Sequence, residues 1–441
     1  MSTVILGSGM AGFGAMHRLQ AEGLKPRLYD RASRCGGHTV SHRTDTGFTF
    51  DDGPHISFTK NERIQTLLAD NIDHQYETVQ AQVNNHWRGH WIKHPAQCNL
   101  HGLPTELVVD VLKDFFESRK REPGEIRNYA DWLVASFGRT FAETFPMEYG
   151  FKYHTTTADN MDTDWLGPRL YRPELEEVLR GAVSAATPDV HYINNFRYPK
   201  HGGFQAYLRK FAERADLTLD HELVGLEPRR RELRFANGKK VEYEHVISSI
   251  PLTALIPMID GTPRDVLEAA GRLSYSSCVV VNLGLNRRDI SDTHWIYFYD
   301  RDYFFTRLSF PHMQSPNNAP PDAGSIQVET YYSEKYRPLD RTPEECIEPV
   351  IRDLRRCGLL RDEDRILHKQ AHWIKYANVI FDLGRVKALE IVRGYLDDIG
   401  VASCGRYGEW GPHWTDESFE SGEQAAQRVL NRQTSDAAMH V

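Results

Sequence analysis

The chain has 441 residues, 40% hydrophobic content and a formal net charge of −8. That length supports two or three cores, so a multidomain enzyme is the default, and the acidic balance excludes nucleic acid or an anionic membrane as the main partner. Six cysteines (Cys35, Cys98, Cys278, Cys346, Cys357 and Cys404) form no CxxC, and the 20 histidines show no ligand spacing. No metal site is expected, and reduced thiols in a cytoplasmic compartment fit best. No apolar run approaches membrane-spanning length. The apolar N-terminus lacks a basic leader and breaks at glycine, so it reads as a first strand rather than a signal sequence.

In chain order, strand Thr3 to Leu6 runs into Gly7-Ser8-Gly9-Met10-Ala11-Gly12, then a helix over Phe13 to Glu22 and a strand Pro26 to Tyr29 ending on Asp30. A strand follows at Gly47 to Asp51. Residues 61 to about 190 read as helix-rich, with helices at Glu106 to Glu117 and Tyr129 to Phe137 and a break at Pro123-Gly124. A Gly202-Gly203 turn precedes helix Phe204 to Ala215. Strands Leu223 to Leu226, Glu232 to Phe235 and Val241 to Val246 surround an Asn237-Gly238 hairpin turn. Val246 to Pro251 reads as a strand leaving a parallel sheet. Strands Cys278 to Leu285, Trp295 to Tyr299, Phe304 to Phe310 and Ser325 to Tyr332 flank a loop at Ser315 to Gly324. Helices Pro343 to Cys357 and Arg385 to Leu396 bracket a last strand region. A C-terminal helix ends near Asn431, with Gln433 to Val441 frayed.

The first 30 residues hold a dinucleotide fingerprint in its proper setting: strand, glycine turn, helix, strand, acidic residue about 20 positions on. The first glycine permits the turn, the second lets backbone approach a pyrophosphate, and the third lets helix and strand pack. The helix N-terminus offers N–H groups to phosphates, and Asp30 suits an adenosine ribose. A second loop, Arg31-Ala32-Ser33-Arg34-Cys35-Gly36-Gly37-His38-Thr39, and a C-terminal block, Gly405-Arg406 with Asp416 and Ser418, supply the further anchors that FAD needs and NAD does not. The expected fold is α/β, an FAD-binding Rossmann-type domain with a helical insertion and an antiparallel-sheet substrate domain. The flavin domain takes segments 1–60, 191–255 and 371–441, the helical insertion 61–190, and the substrate sheet 256–370. The Asp51-Asp52 pair reads as a solvated turn, because adjacent strand residues face opposite sides. Tyr29, Trp165 and the Tyr331-Tyr332 pair read as core.

Several blocks resemble, in order, the UDP-galactopyranose mutases within the amine-oxidase/protoporphyrinogen-oxidase flavoprotein group. Gly53-Pro54-His55-Ile56 is similar to the family's Gly-x-His-(Ile/Val) loop, and His94-Pro95-Ala96-Gln97-Cys98-Asn99 to a Pro-Phe-Gln-Asn-Asn stretch. Tyr149-Gly150-Phe151-Lys152 with Trp165-Leu166-Gly167-Pro168-Arg169 resembles Tyr-Asn-x-Lys…Trp-Leu-Gly-x-Arg. Phe196 to Gly203 resembles Phe-Arg-(Tyr/Phe)-Pro-x-x-Gly-Gly, Phe304-Phe305-Thr306-Arg307 resembles Phe-Tyr-Arg, and Gly405 to Trp410 the closing Gly-Arg-Phe-Gly-x-Trp. The resemblance implies a mutase that interconverts pyranose and furanose forms of a nucleotide sugar through a reduced-flavin N5 adduct. The FAD must be reduced by an external donor such as NADPH. A second GxGxxG for that donor is absent from the sequence. It also implies that Arg169 and Arg307 hold the departing diphosphate, where charge develops. His55 shapes the flavin side, with Gly53 and Pro54 in its loop, and Arg406 sits near the flavin. Gln97, Asn99, His154, Tyr376, Asn378, Trp410 and His413 are the implied substrate contacts.

Structural roles stand beside these readings: Arg169 as a helix C-cap, His55 as a turn residue. The sequence also departs from the family. His154 stands where an active-site Trp is usual, and Gly411-Pro412-His413-Trp414 replaces a slot usually carrying Tyr. Near Tyr376 and Asn378, either residue is the counterpart of a diphosphate-holding Tyr. Each lost hydroxyl–phosphate bond is worth roughly 1.5–3 kcal/mol, so the sugar is expected to be other than plain UDP-galactose. The rival reading is an FAD-dependent oxidoreductase of amine-oxidase or desaturase type, taking hydride at flavin N5. A flavin-binding protein without catalysis is the third. Oligomeric state is left open.

Overall fold

The computed structural model describes residues 2–120, 124–190 and 192–439. Strand β1 (Thr3–Leu6) is buried throughout, as an uninterrupted Thr-Val-Ile-Leu run requires of a central parallel strand. It lies between His245–Ser248 and β2 (Arg27–Tyr29), and Val401–Ser403 and Asp216–Thr218 complete a five-stranded parallel sheet. Helix α1 (Met10–Ala21) connects β1 to β2 and packs along the C-terminal helix Thr415–Met439. Their contact is backbone to backbone. A Cβ on Gly14 would lie 2.0 Å from the Phe419 carbonyl oxygen, and one on Gly422 only 1.9 Å from that of Ala11. Two ends of the chain some 400 residues apart are thereby joined over one glycine turn.

A second sheet has seven strands, in the order Ile366–Val379, Tyr275–Leu285, Gly324–Tyr332, Arg307–Ser309, Trp295–Phe298, Val83–Trp87 and His90–Lys93. All neighbours are antiparallel except Trp295–Phe298 with Val83–Trp87. Helices Thr105–Lys120, Tyr129–Phe137, Arg139–Thr144 and Pro146–His154 bring Phe115, Leu133, Phe137, Phe141 and Phe145 into a common core. Asn128 caps the second of these by accepting from the Asp131 N–H at 2.9 Å. No helix among the described residues is long and apolar enough to cross a membrane.

Elements with a strong local signal, such as helix Tyr129–Phe137 and strand Glu232–Phe235, fall where the sequence places them. Strands Tyr76–Gln80, Val83–Trp87 and His90–Lys93 do not; they interrupt the stretch read as helix-rich. Asn84-Asn85-His86-Trp87 has no apolar alternation, and its pairing partner Trp295–Phe298 is distant in sequence. The predicted helix 204–215 is a 3-10 segment, Phe204–Leu208, followed by Arg209–Arg214. The expected strand 241–246 divides into Lys240–Glu242 and His245–Ser248. Strand 304–310 shortens to Arg307–Ser309. The last helix continues past Asn431 to Met439, where the sequence predicts a frayed end from Gln433 on; the final two residues, like Pro123, lie outside the described residues.

Candidate active site

A cavity of about 990 Å³ opens where the carboxyl end of the parallel sheet, the seven-stranded sheet and helix Pro146–His154 meet. Its first part is the glycine turn. Gly7 has φ +104°, and a Cβ there would sit 2.2 Å from Ser249 Oγ. On Gly12 a Cβ would lie 2.0 Å from the Gly7 carbonyl oxygen, so this residue sets helix-to-turn packing and does not line the cavity. Gly9 is different. Its φ is −87°, and a Cβ would meet no protein atom closer than 3.6 Å. Nothing in the protein demands glycine there; close approach of a ligand to the helix N-terminus does. The pyrophosphate of a dinucleotide fits that demand. Gly9→Ala is therefore expected to melt like the wild type when both are stripped of flavin, yet to purify with a lower flavin-to-protein ratio, read from the visible spectrum.

Around this turn the separate segments converge. Asp30 accepts from the Ser8 N–H and Oγ–H, both at 2.7 Å, and from the Ala32 N–H at 2.9 Å, which stitches the turn to the end of β2. Gly36 N–H donates to Ser8 carbonyl at 3.0 Å, so the paired-glycine loop with Gly37, His38 and Thr39 lies on the fingerprint. A Cβ on Gly405 would be 2.8 Å from Ala11 Cβ, and Gly405 N–H donates to Ser421 Oγ at 2.9 Å. Met10, Arg31, Gly53, Pro54 and Ser418 also line the cavity, whereas Asp416 lies in the first turn of the last helix, off the wall. His55 Nδ1 is 2.9 Å from the Gly53 carbonyl. A carbonyl only accepts, so Nδ1 carries the proton and Nε2 is left as an acceptor.

The second part of the cavity is charged and aromatic. Arg307 and Glu329 are direct cross-strand partners and form a bidentate pair, with Nε–Oε2 at 2.5 Å and Nη2–Oε1 at 2.9 Å. Tyr331 OH donates to the same carboxylate at 2.7 Å. Glu329 and its neighbours hold the Arg307 guanidinium firmly protonated despite its burial. Arg169 and Arg406, in contrast, have no carboxylate within ion-pair distance among the described residues. Arg169 donates to the Trp165 carbonyl at 3.2 Å and to the Pro412 carbonyl, and its guanidinium carbon lies 4.2 Å over the Trp414 ring. Arg406 Nε donates to the adjoining carbonyl of His413 at 2.7 Å, and Nη1 reaches Asn378 Oδ1 at 3.4 Å. Two consecutive carbonyls thus hold two cations at the cavity, neither in an ion pair among the described residues, with Glu417 acting on Arg169 only from beyond contact. Tyr153 OH donates to the same Asn378 oxygen at 3.1 Å, and the Tyr149 and Tyr153 rings stack at 5.6 Å.

The family description flavin containing amine oxidoreductase matches residues 10–430. The chain belongs to this family. A crystal structure of reduced UDP-galactopyranose mutase is similar over 98% of this chain and 95% of that chain, at 26% identity and a TM-score of 0.92. A redesigned putrescine oxidase covers 98% of this chain and 99% of its own (15% identity, TM-score 0.66). A CLA-producing fatty acid isomerase from P. acnes covers 97% and 98% (14% identity, TM-score 0.66). At those two identities the likeness is one of fold.

In this flavin-containing amine oxidoreductase the glycine turn, the Gly36-Gly37 loop and the Gly405 block are the residues that would hold FAD. Four expected site residues stand elsewhere than on the cavity wall: Gly12, Asp416, Asn99 and Trp410. Asn99 is buried and uses its amide to tie Pro95 at 2.8 Å and Thr187 at 2.5 Å. Trp410 is fully buried between the Tyr275 and Tyr407 rings. Gln97, His154, Tyr376, Asn378 and His413 do line the cavity. Tyr29, Trp165 and Tyr331, read as core, line it as well. Glu329 is the residue sequence reasoning missed; a lone carboxylate in the wholly buried strand Gly324–Tyr332 was its only signal. The solvated Asp51-Asp52 turn is also corrected. Asp51 is buried and accepts from Ser41, Tyr198 and the Phe204 N–H, while Asp52 faces His42 and His372 at 2.8 and 3.2 Å.

Burial pushes His38, His55 and His312 down to about 4 and His154 to about 3, so all four are neutral in the fold. In the unfolded chain they take protons below about 6.5. Their contribution is complete above that pH and is lost as pH falls towards 4, by on the order of 3 kcal/mol per group. Asp51, raised to about 6 by burial, has the opposite sign: its contribution is complete below its unfolded value and is lost as pH rises through 6. Four groups outweigh one. The melting temperature is expected to fall steadily between pH 6.5 and 5, measured by scanning calorimetry.

Proposed function

We propose that this chain is an FAD-dependent mutase interconverting pyranose and furanose forms of a nucleotide sugar, the sugar being other than plain UDP-galactose. The observation that carries the reading is the Arg169–Arg406 pair beside the glycine turn, which forms no ion pair among the described residues. A cationic amine would be repelled there, whereas a diphosphate leaving group is drawn in and stabilised as its charge grows. Bound and reduced, FAD supplies a nucleophile to the anomeric carbon, and the overall isomerisation involves no net redox. The chain's residues do the rest. Arg169 and Arg406 hold the diphosphate while the anomeric bond breaks. The Arg307–Glu329 pair is electrically neutral, and its carboxylate and the Tyr331 hydroxyl offer hydrogen bonds to sugar hydroxyls. The aromatic rings of Tyr149, Tyr153 and Trp165 exclude water from the remainder of the cleft.

Dithionite-reduced holoprotein, mixed anaerobically with UDP-, GDP- and dTDP-sugars, tests this by chromatography. An isomer of unchanged mass, formed only with reduced flavin, is the expected result. Inertness to every nucleotide sugar, with oxidised flavin bleached by an amine or another reduced metabolite, supports the oxidoreductase reading instead. NADPH is the proposed reductant.

A further inference from the structure

Beyond the arginines, the cleft wall contains a ring whose hydrogen-bonding capacity the protein does not use. His154 closes helix Pro146–His154 and is buried, its ring 4.9 Å from those of both Tyr153 and Trp165. Nδ1 is sealed off with no hydrogen-bond partner. Nε2 is not sealed in this way, has no protein partner among the described residues, and belongs to a residue lining the cleft. A proton on Nδ1 would be a stranded buried donor, so the neutral ring carries its proton on Nε2. The ring stays neutral because burial opposes its charging. The wall therefore presents a fixed N–H donor that no protein group satisfies.

Its position says what would accept. Trp165, whose ring packs on His154, gives its carbonyl to Arg169 at 3.2 Å. Read with the nucleotide-sugar function proposed above, the sugar must lie at the flavin cradle and the diphosphate at Arg169 and Arg406. What reaches His154 and the surrounding aromatic rings is the nucleoside. We propose that His154 Nε2–H donates to a carbonyl oxygen of the nucleobase and makes the cleft select bases that carry one. Uracil, thymine and guanine qualify; adenine has no ring carbonyl.

The test is binding of UDP, ADP and inorganic pyrophosphate to oxidised holoprotein by isothermal titration calorimetry, for the native chain, His154→Phe and His154→Gln. Native protein prefers UDP to ADP. His154→Phe, which keeps a planar ring but no donor, loses roughly tenfold in UDP affinity and most of that preference, with pyrophosphate affinity unchanged. His154→Gln, which restores an N–H, recovers part of it. An unchanged UDP-to-ADP ratio in His154→Phe, with normal flavin content, overturns the role of His154 alone. Native protein that binds pyrophosphate but neither nucleotide overturns the nucleotide-sugar reading and the His154 proposal with it. Because the ring stays neutral, the UDP preference is also flat between pH 6 and 8; a step in that range counts against a neutral donor.

Discussion

Arg169→Ala is expected to lower turnover of the nucleotide sugar about 10²–10³-fold, the usual loss when one preorganised donor to developing negative charge is removed. Flavin content should stay at the native level, since Arg169 touches Trp165, Pro412 and Trp414 and none of the glycine-turn residues. Arg169→Lys keeps the charge but not the planar fork, so its activity falls between the two. The loss belongs mainly to kcat if the cation acts on the departing diphosphate, and mainly to KM if it only binds it. The sign separates the competing functions. An enzyme oxidising a cationic amine would keep or gain activity when this cation is removed. Turnover within a few-fold of native, at full flavin loading, would move the anion subsite away from Arg169.

Arg307→Ala should behave differently, because its first effect is on stability. Removing the arginine leaves the nearly buried Glu329 carboxylate without its bidentate partner, at a cost of about 3–5 kcal/mol. The expected result is a lower melting temperature together with lost turnover. A double change, Arg307→Met with Glu329→Met, leaves neither charge stranded and is expected to recover most of the melting temperature. Under the proposed function turnover should not recover with it, since the carboxylate assigned to the sugar hydroxyls is gone. If the single and double variants melt alike, the pair contributes little to stability and the structural part of this account fails. Normal turnover in the double variant would remove the pair from the reaction.

The glycine turn was legible in the sequence because most of its requirements are local. A glycine turn between a strand and a helix needs glycine at 7 for its positive φ, at 12 for packing on the Gly7 carbonyl and at 9 for the ligand, all within a few residues or on the ligand; only the close Ser249 hydroxyl at Gly7 comes from far along the chain. Helix Tyr129–Phe137 also falls where the sequence places it, and the structure shows its start held locally, by Asn128 accepting from the Asp131 N–H. Strands Tyr76–Gln80 and Val83–Trp87 were not legible, since their polar residues join sheets by pairing with the distant Asn195–Pro199 and Trp295–Phe298, and His90–Lys93 is carried along as a hairpin on Val83–Trp87. Asn99 and Trp410 show the opposite error. They resemble site residues in a motif, yet the fold spends one on tying a loop and the other on core packing.

Sequence by itself determined that this chain holds a dinucleotide turn, that distant segments return to it, and that arginines stand in the blocks around it. Only the tertiary structure decided which arginines carry free charge. Arg307 is neutralised because antiparallel register sets it opposite Glu329, 22 residues further along the chain. Among the described residues Arg169 and Arg406 form no ion pair, because carbonyls of Pro412 and His413, not carboxylates, meet them, and Glu417 acts on Arg169 only from beyond contact. Electrostatic compensation depends on distances across space, and those are set by strand register and loop closure rather than by residue type.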